Sequence, residues 1–266
     1  MRKQCGPKSY NINKHNKKSI LTDPILESIT IKNETKYYFS YGKFRVRAAG
    51  LAFICNYPGK NGIYGMMIKE GIFNNNKNNE TVFSNSGGAV ERGDADPLYT
   101  VMREFKEEVI DIYEQIKNNN VNSTNNYTNA NNIISTEQLK NITKDLRNIL
   151  INDSEKYIMP GKGENHLSVL YYIVNVNNIN NRNMKQFIRE LFNKKILFGI
   201  KLENTIPVKV TYDENCSNDV NNKQYNGDIN VHPNGTIKVR SREGPLINYL
   251  IRQHDEYNKI QKLVVQ

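Results

Sequence analysis

The stretch from Ser84 to Ile112, SNSGGAVERGDADPLYTVMREFKEEVIDI, restricts the fold of this chain more than any other, because it runs a glycine pair through a polar loop into a helix whose start and faces are written in the sequence. Asp96 followed by Pro97 marks the start, since aspartate caps free N–H groups and proline suits the first helical position. From there Leu98, Val101, Met102, Phe105, Val109 and Ile112 share an arc of roughly 100° on a 3.6-residue helix, a stripe that anchors it to a core. Glu104, Glu107 and Glu108 occupy the adjoining arc at relative positions i, i+3 and i+4. The helix is thus expected to lie with one face on the core and three carboxylates at its rim.

Three neighbouring carboxylates repel one another, and Arg103 on their flank offsets only part of that charge. A hard divalent cation offsets the rest. Mg²⁺ takes oxygen ligands and keeps positions for water and substrate phosphates, which suits a site without histidine or cysteine. Gly87, Gly88 and Gly93 let backbone approach a phosphate or turn back over the metal. The segment Glu-Phe-Lys-Glu-Glu alone also suits a solvated helix face, and what points to a site is its combination with the glycines and the capped start.

In these residues the chain resembles the Nudix box, whose pattern is Gly, five residues, Glu, seven residues, Arg-Glu, an apolar residue, any residue, Glu-Glu, any residue, Gly and an apolar residue. Gly88 matches its first position, and Arg103, Glu104, Phe105, Glu107 and Glu108 match its core. Asp94 stands at the loop Glu, the spacer to Arg103 is one residue longer, Ile110 fills the later Gly position and Asp111 the closing apolar one. Within the superfamily, GGAVERGD with REFKEEV is most similar to the Nudix mRNA-decapping enzymes of large DNA viruses, the poxviruses, asfarviruses and giant viruses.

The resemblance implies an α+β fold, a Nudix α/β/α sandwich with a mixed central sheet, an N-terminal extension and Asn-rich insertions. It implies that Glu104, Glu107 and Glu108 hold Mg²⁺ or Mn²⁺ across a pyrophosphate, that Arg103 locks their geometry and that Gly87 and Gly88 shape the loop. A further acidic residue beyond the box would assist; Glu203 is the first candidate and Glu164 the second, and either position also suits an ordinary surface glutamate. The implied substrate is capped RNA, cut to a methylated nucleoside diphosphate and 5′-monophosphate RNA. Diphosphoinositol polyphosphates or nucleotides are the alternative substrates, and an RNA-binding module without turnover is the alternative class. A methylated guanine is held by aromatic stacking. The chain has no tryptophan, so Tyr38 and Tyr41 in KYYFSYGKFRVR are the candidates.

The rest of the chain agrees with a polyanionic substrate. A net charge of +10 and a pI near 9.3 favour nucleic acid or phosphorylated molecules, although AT-rich codons also enrich lysine with asparagine. Asparagine is roughly one residue in six, and its clusters read as solvated loops that dilute a core, in keeping with a mean hydropathy of −0.68. Cys5, Cys55 and Cys216 form no metal or disulfide pattern, as in a reducing compartment. No apolar run reaches the length of a bilayer and the start lacks a signal-peptide core, so an intracellular, cytoplasmic protein without a membrane partner is expected.

Along the chain, residues 1–44 read as an arm and extension. Residues 45–266 read as the Nudix domain, with an insertion at about 115–155 and a C-terminal helix. Ala49 to Cys55 and YGMMIKEGIF read as partner strands. STEQLKNITKDLRNILIND reads as a helix begun by a Ser135–Gln138 capping box. A strand HLSVLYYIVNV, a helix at about 183–194, a strand TIPVKVTYDE, a hairpin DINVHPNGTIKVR and the closing helix GPLINYLIRQHDEYNKIQKL complete it.

Overall fold

The computed structural model describes residues 10–11, 24–31, 33–41, 44–56, 62–70, 82–122, 134–159, 167–202, 226–231, 235–240 and 243–264. Glu164, Glu203 and the stretch TIPVKVTYDE lie outside them. The elements in chain order are β1 (Tyr10–Asn11), β2 (Ile25–Ile31), β3 (Glu34–Tyr41), β4 (Phe44–Cys55), β5 (Ile63–Glu70), β6 (Val82–Ser84) and β7 (Ser86–Ala89). Helix α1 (Pro97–Phe105) follows, then a π-helical turn (Lys106–Ile110), α2 (Asp111–Asn122) and α3 (Thr136–Asn152). The remainder is β8 (Glu155–Met159), β9 (Leu167–Asn175), α4 (Arg182–Asn193), β10 (Leu197–Leu202), β11 (Asn226–Val231), β12 (Gly235–Arg240) and α5 (Gly244–Val264). The class is α+β.

Two compact units divide the chain, one of Met1–Phe53 with Asn85–Leu197, the other of Ile54–Ser84 with Phe198–Gln266. Strand β3 pairs with β4 through Phe39↔Val46 to Tyr41↔Phe44, which ties β2 and β3 to the first unit. In that unit the strand order is β1-β8-β9-β4, and β7 also pairs with β4. Strand β4 is buried on both faces along Ala49 to Phe53, as its unbroken run of small and apolar residues requires. Helix α3 starts at the expected capping box: Gln138 N–H donates to Ser135 Oγ at 3.1 Å and Ser135 N–H to Gln138 Oε1 at 2.7 Å. It buries Leu139, Ile142, Leu146, Ile149 and Leu150, while α4 buries Met184, Phe187, Ile188 and Leu191.

The second unit has the order β5-β6-β12-β11, with β10 on β5. Its β11–β12 hairpin pairs Asn226↔Arg240 through Val231↔Gly235, as the alternation around Asn234-Gly235 predicts. Phe83 and Phe198 meet edge to face at 5.3 Å between centroids. Among the described residues no helix is long and apolar enough to cross a membrane.

The helix that follows the glycine loop departs from its expected phase. Its π turn is closed by the Asp111 N–H bonding to Lys106 O, five residues back, which takes up one residue more than an α turn. The buried stripe therefore continues through Val109, Ile110 and Tyr113 rather than through Ile112, which is 40% exposed. Met102 is half-buried. Tyr113 reaches the Phe187 ring edge to face at 5.6 Å, which anchors α2 on α4 and carries helix to Asn122, past the start expected for the Asn-rich insertion. Ile110→Ala is expected to cost about 2–5 kcal/mol and Ile112→Ala about 0.5 kcal/mol in urea unfolding. The opposite order would mean that the helix keeps an α phase in solution.

Candidate active site

Gly87 and Gly88 lie on β7 opposite Gly50 and Ala49 of β4. Gly87 has φ +155°, and a Cβ there would meet Gly50 Cα at 2.5 Å and Ala49 O at 2.6 Å, so the close strand approach requires glycine. A Cβ on Gly88 would fall onto the carboxylate of Glu104. Helix α1 packs against β7. The second glycine is thus the seat of the first glutamate.

Asp94 holds the loop and the helix together. It is 4% exposed, and its Oδ2 accepts the Glu91 N–H at 2.9 Å and the Thr100 hydroxyl at 2.7 Å. Arg103 donates to it through Nε at 3.2 Å and Nη2 at 3.3 Å. The same guanidinium donates to Glu104 Oε1 at 2.7 Å and to Ala89 O at 2.9 Å, and its Nη1 lies 3.4 Å from Glu91 and 3.8 Å from Glu107. Asp96 caps α1 through the Tyr99 N–H at 2.6 Å, as its position before Pro97 predicts. Burial opposes both charges of the central pair. Their mutual hydrogen bonds and attraction, with the Glu91 N–H and the Thr100 hydroxyl on Asp94 and the Glu104 charge on Arg103, outweigh it, lowering the pKa of Asp94 and raising that of Arg103.

The three glutamates lie at different depths and on different partners. The Glu104 side chain is 14% exposed and that of Glu107 is 56% exposed. Glu108 is half-buried, and its Oε2 accepts the Gly87 N–H at 3.0 Å. Among the described residues no three His, Cys, Asp or Glu side chains already converge as a metal-binding group. The geometry gives the reason: Glu104 is turned to Arg103, Glu108 to Gly87, and Glu107 to solvent.

The donor set nevertheless fits a hard cation on its chemistry, since it offers only carboxylate oxygen. Burial raises the pKa of Glu104; Arg103 opposes the rise, and the charges of Glu107 and Glu91 add to it. Its anion is under-compensated, which a divalent ion would correct. A carboxyl whose folded pKa lies above its ordinary 4.5 destabilises the fold when ionised, and that cost is relieved as pH falls through the raised value. Glu104→Gln is therefore expected to melt higher than the native protein at neutral pH without metal, with the gap closing on acidification. Mg²⁺ should raise the native melting temperature more than that of the variant. An equal Mg²⁺ response in both would remove Glu104 from the ligand set.

The remaining expected site residues are placed as follows. Tyr38 and Tyr41 are 5% and 6% exposed, which leaves little ring surface for a base to stack on. The Tyr38 hydroxyl donates to Glu27 at 2.5 Å and Arg45 lies 5.5 Å from its ring centre. Glu203 is outside the described residues. The residue that sequence reasoning undervalued is Asp94, read as a departure at the loop and found as the buried partner of Arg103. Its signal was an acid preceding a capped helix that carries arginine two turns in. No family model matches the chain, and no curated protein or solved structure matches it either.

Proposed function

We propose that this chain is a metal-dependent pyrophosphohydrolase of the Nudix type, acting in the cytoplasm on capped RNA. The observation that carries the reading is the seat of Glu104. A glycine whose Cβ would displace the carboxylate, an arginine bonded to it and a buried aspartate behind that arginine hold one member of an acidic trio in place. A solvated helix face has no need of such support.

Glu104, Glu107 and Glu108 would hold Mg²⁺ or Mn²⁺, which when bound polarises phosphoryl oxygens and lowers the pKa of an attacking water. Arg103 fixes the Glu104 carboxylate, and the Gly87 N–H fixes Glu108. One carboxylate of the trio would then orient or deprotonate that water. Glu107, the exposed member, is free to turn toward an arriving ligand. Water adds across one phosphoanhydride bond of the cap bridge, leaving a methylated nucleoside diphosphate and 5′-monophosphate RNA. The net charge of +10 and the exposed Arg45 and Arg47 of β4 support a polyanionic substrate.

Cap-labelled RNA incubated with the protein and Mg²⁺ or Mn²⁺ should release the labelled nucleoside diphosphate. Cleavage of inositol pyrophosphates or free nucleotides without cleavage of RNA would reassign the substrate. RNA binding with no hydrolysis of any pyrophosphate would make the domain a binding module.

A further inference from the structure

Among the described residues two buried side-chain oxygens have no hydrogen-bond partner, the hydroxyls of Ser84 and Ser86. Ser84 belongs to β6, where it pairs with Ile68 of β5 in the second unit. Ser86 opens β7 directly before Gly87 and Gly88, in the unit that carries the glutamates, and is 6% exposed. A hydroxyl shut away from water without a partner is unfavourable, and a fold that keeps one does so where a bound species or a change of state brings the partner.

The strand register places this hydroxyl. Ser86 lies opposite Leu51 of β4 as Gly88 lies opposite Ala49, and residues two apart on a strand project from the same face. On that face a Cβ at Gly88 would fall onto the Glu104 carboxylate. Phe53, two positions beyond Leu51 on the same face, meets the Phe105 ring edge to face at 6.2 Å. Ser86 is therefore bracketed by Glu104 and Phe105, beneath the turn that leads to Glu108. The Glu108 carboxylate reaches the same place, since its Oε2 accepts the N–H of Gly87, the next residue after Ser86, at 3.0 Å.

We propose that Ser86 is a positioning residue of the glutamate cluster, whose hydroxyl donates to the Glu108 carboxylate when the glutamates turn onto a divalent cation. The inference rests on the reading of those glutamates as metal ligands. A carboxylate that carries a metal is itself oriented by hydrogen bonds from outer groups. The Gly87 N–H is one such donor, from the backbone, and the Ser86 hydroxyl on the adjoining residue is a second, from a side chain. With Glu104 turned to Arg103 and Glu108 to Gly87, the hydroxyl has no acceptor. Rotation of Glu108 toward a cation brings one, while the Phe53 and Phe105 rings beside it keep water from taking that position.

Thermal melts of the full-length protein across a Mg²⁺ titration test the assignment. Without metal, Ser86→Ala should melt within about 2 °C of the native protein or above it, because alanine removes a hydroxyl that has no bond to lose. Its dissociation constant for Mg²⁺, read from the rise of melting temperature with concentration, should be about tenfold larger, as for loss of an outer partner to a metal ligand. Ser86→Cys, which keeps a side chain of similar size but is a far weaker donor, should show the same weakening. A larger metal-free loss in Ser86→Ala would mean that the hydroxyl already serves the fold, and an unchanged Mg²⁺ dissociation constant in either variant would mean that it does not act on the glutamates; each overturns the inference. A native protein that gains no stability from Mg²⁺ or Mn²⁺ would instead remove the metal reading itself, and the role of Ser86 with it.

Discussion

Glu107→Gln is expected to lower metal-dependent pyrophosphate cleavage by more than about 100-fold, since even an outer partner of a metal ligand contributes about 10–100-fold. The fold should barely register the change. The Glu107 side chain is 56% exposed and its guanidinium neighbour is 3.8 Å away, so the ion pair contributes at most about 1 kcal/mol. In a body of this size that is a shift of about 2–4 °C in melting temperature. A metal-titrated cleavage assay beside a thermal melt separates the two effects. Full turnover in the variant would sink the proposed chemistry, whereas lost turnover with a large drop in melting temperature would mean only that the helix had unfolded.

Arg103→Met should produce the largest change in stability, about 3–5 kcal/mol, because it leaves Asp94 as an uncompensated charge whose side chain is 1% exposed. That corresponds to a fall of about 6–20 °C in melting temperature. The loss should also depend on pH. In the native protein the pKa of Asp94 is held below its ordinary 3.8, so its contribution is complete above that value and is lost as pH falls through the lowered pKa. Without Arg103, burial dominates, and Asp94 regains stability by taking up a proton at a higher pH. Native and variant curves should therefore converge on acidification in urea unfolding. Asp94→Asn with Arg103→Met should recover much of the loss, as coupled partners do. A variant within about 2 °C of the native melting temperature would show that this network does not hold the loop to the helix.

The elements legible in the sequence were those with local causes. Asp96-Pro97 and the Ser135–Gln138 box cap helices where they stand, because an N-cap bonds to an N–H only two or three residues away. The β11–β12 hairpin and β9 follow from alternation or from an unbroken apolar run. The fate of Ile112 could not be read this way. A π turn has no sequence signature of its own; it forms where burying Ile110 and Tyr113 outweighs the poorer geometry of one helical turn, and that balance is set by residues such as Phe187, more than 70 positions away. Tyr38 and Tyr41 illustrate the same limit, since alternation places them on opposite faces from their neighbours without saying what covers either face.

At the site, helical periodicity and capping, which are properties of neighbouring residues, already place three carboxylates and an arginine on one helix behind two glycines. The tertiary structure decided which carboxylate is held and how. Pairing of β7 with β4 puts Gly88 under Glu104, and the loop returns Asp94 beneath Arg103. Both depend on contacts between segments whose approach is governed by packing and by the cost of leaving a buried charge unpaired, and neither quantity is written in the spacing of a motif.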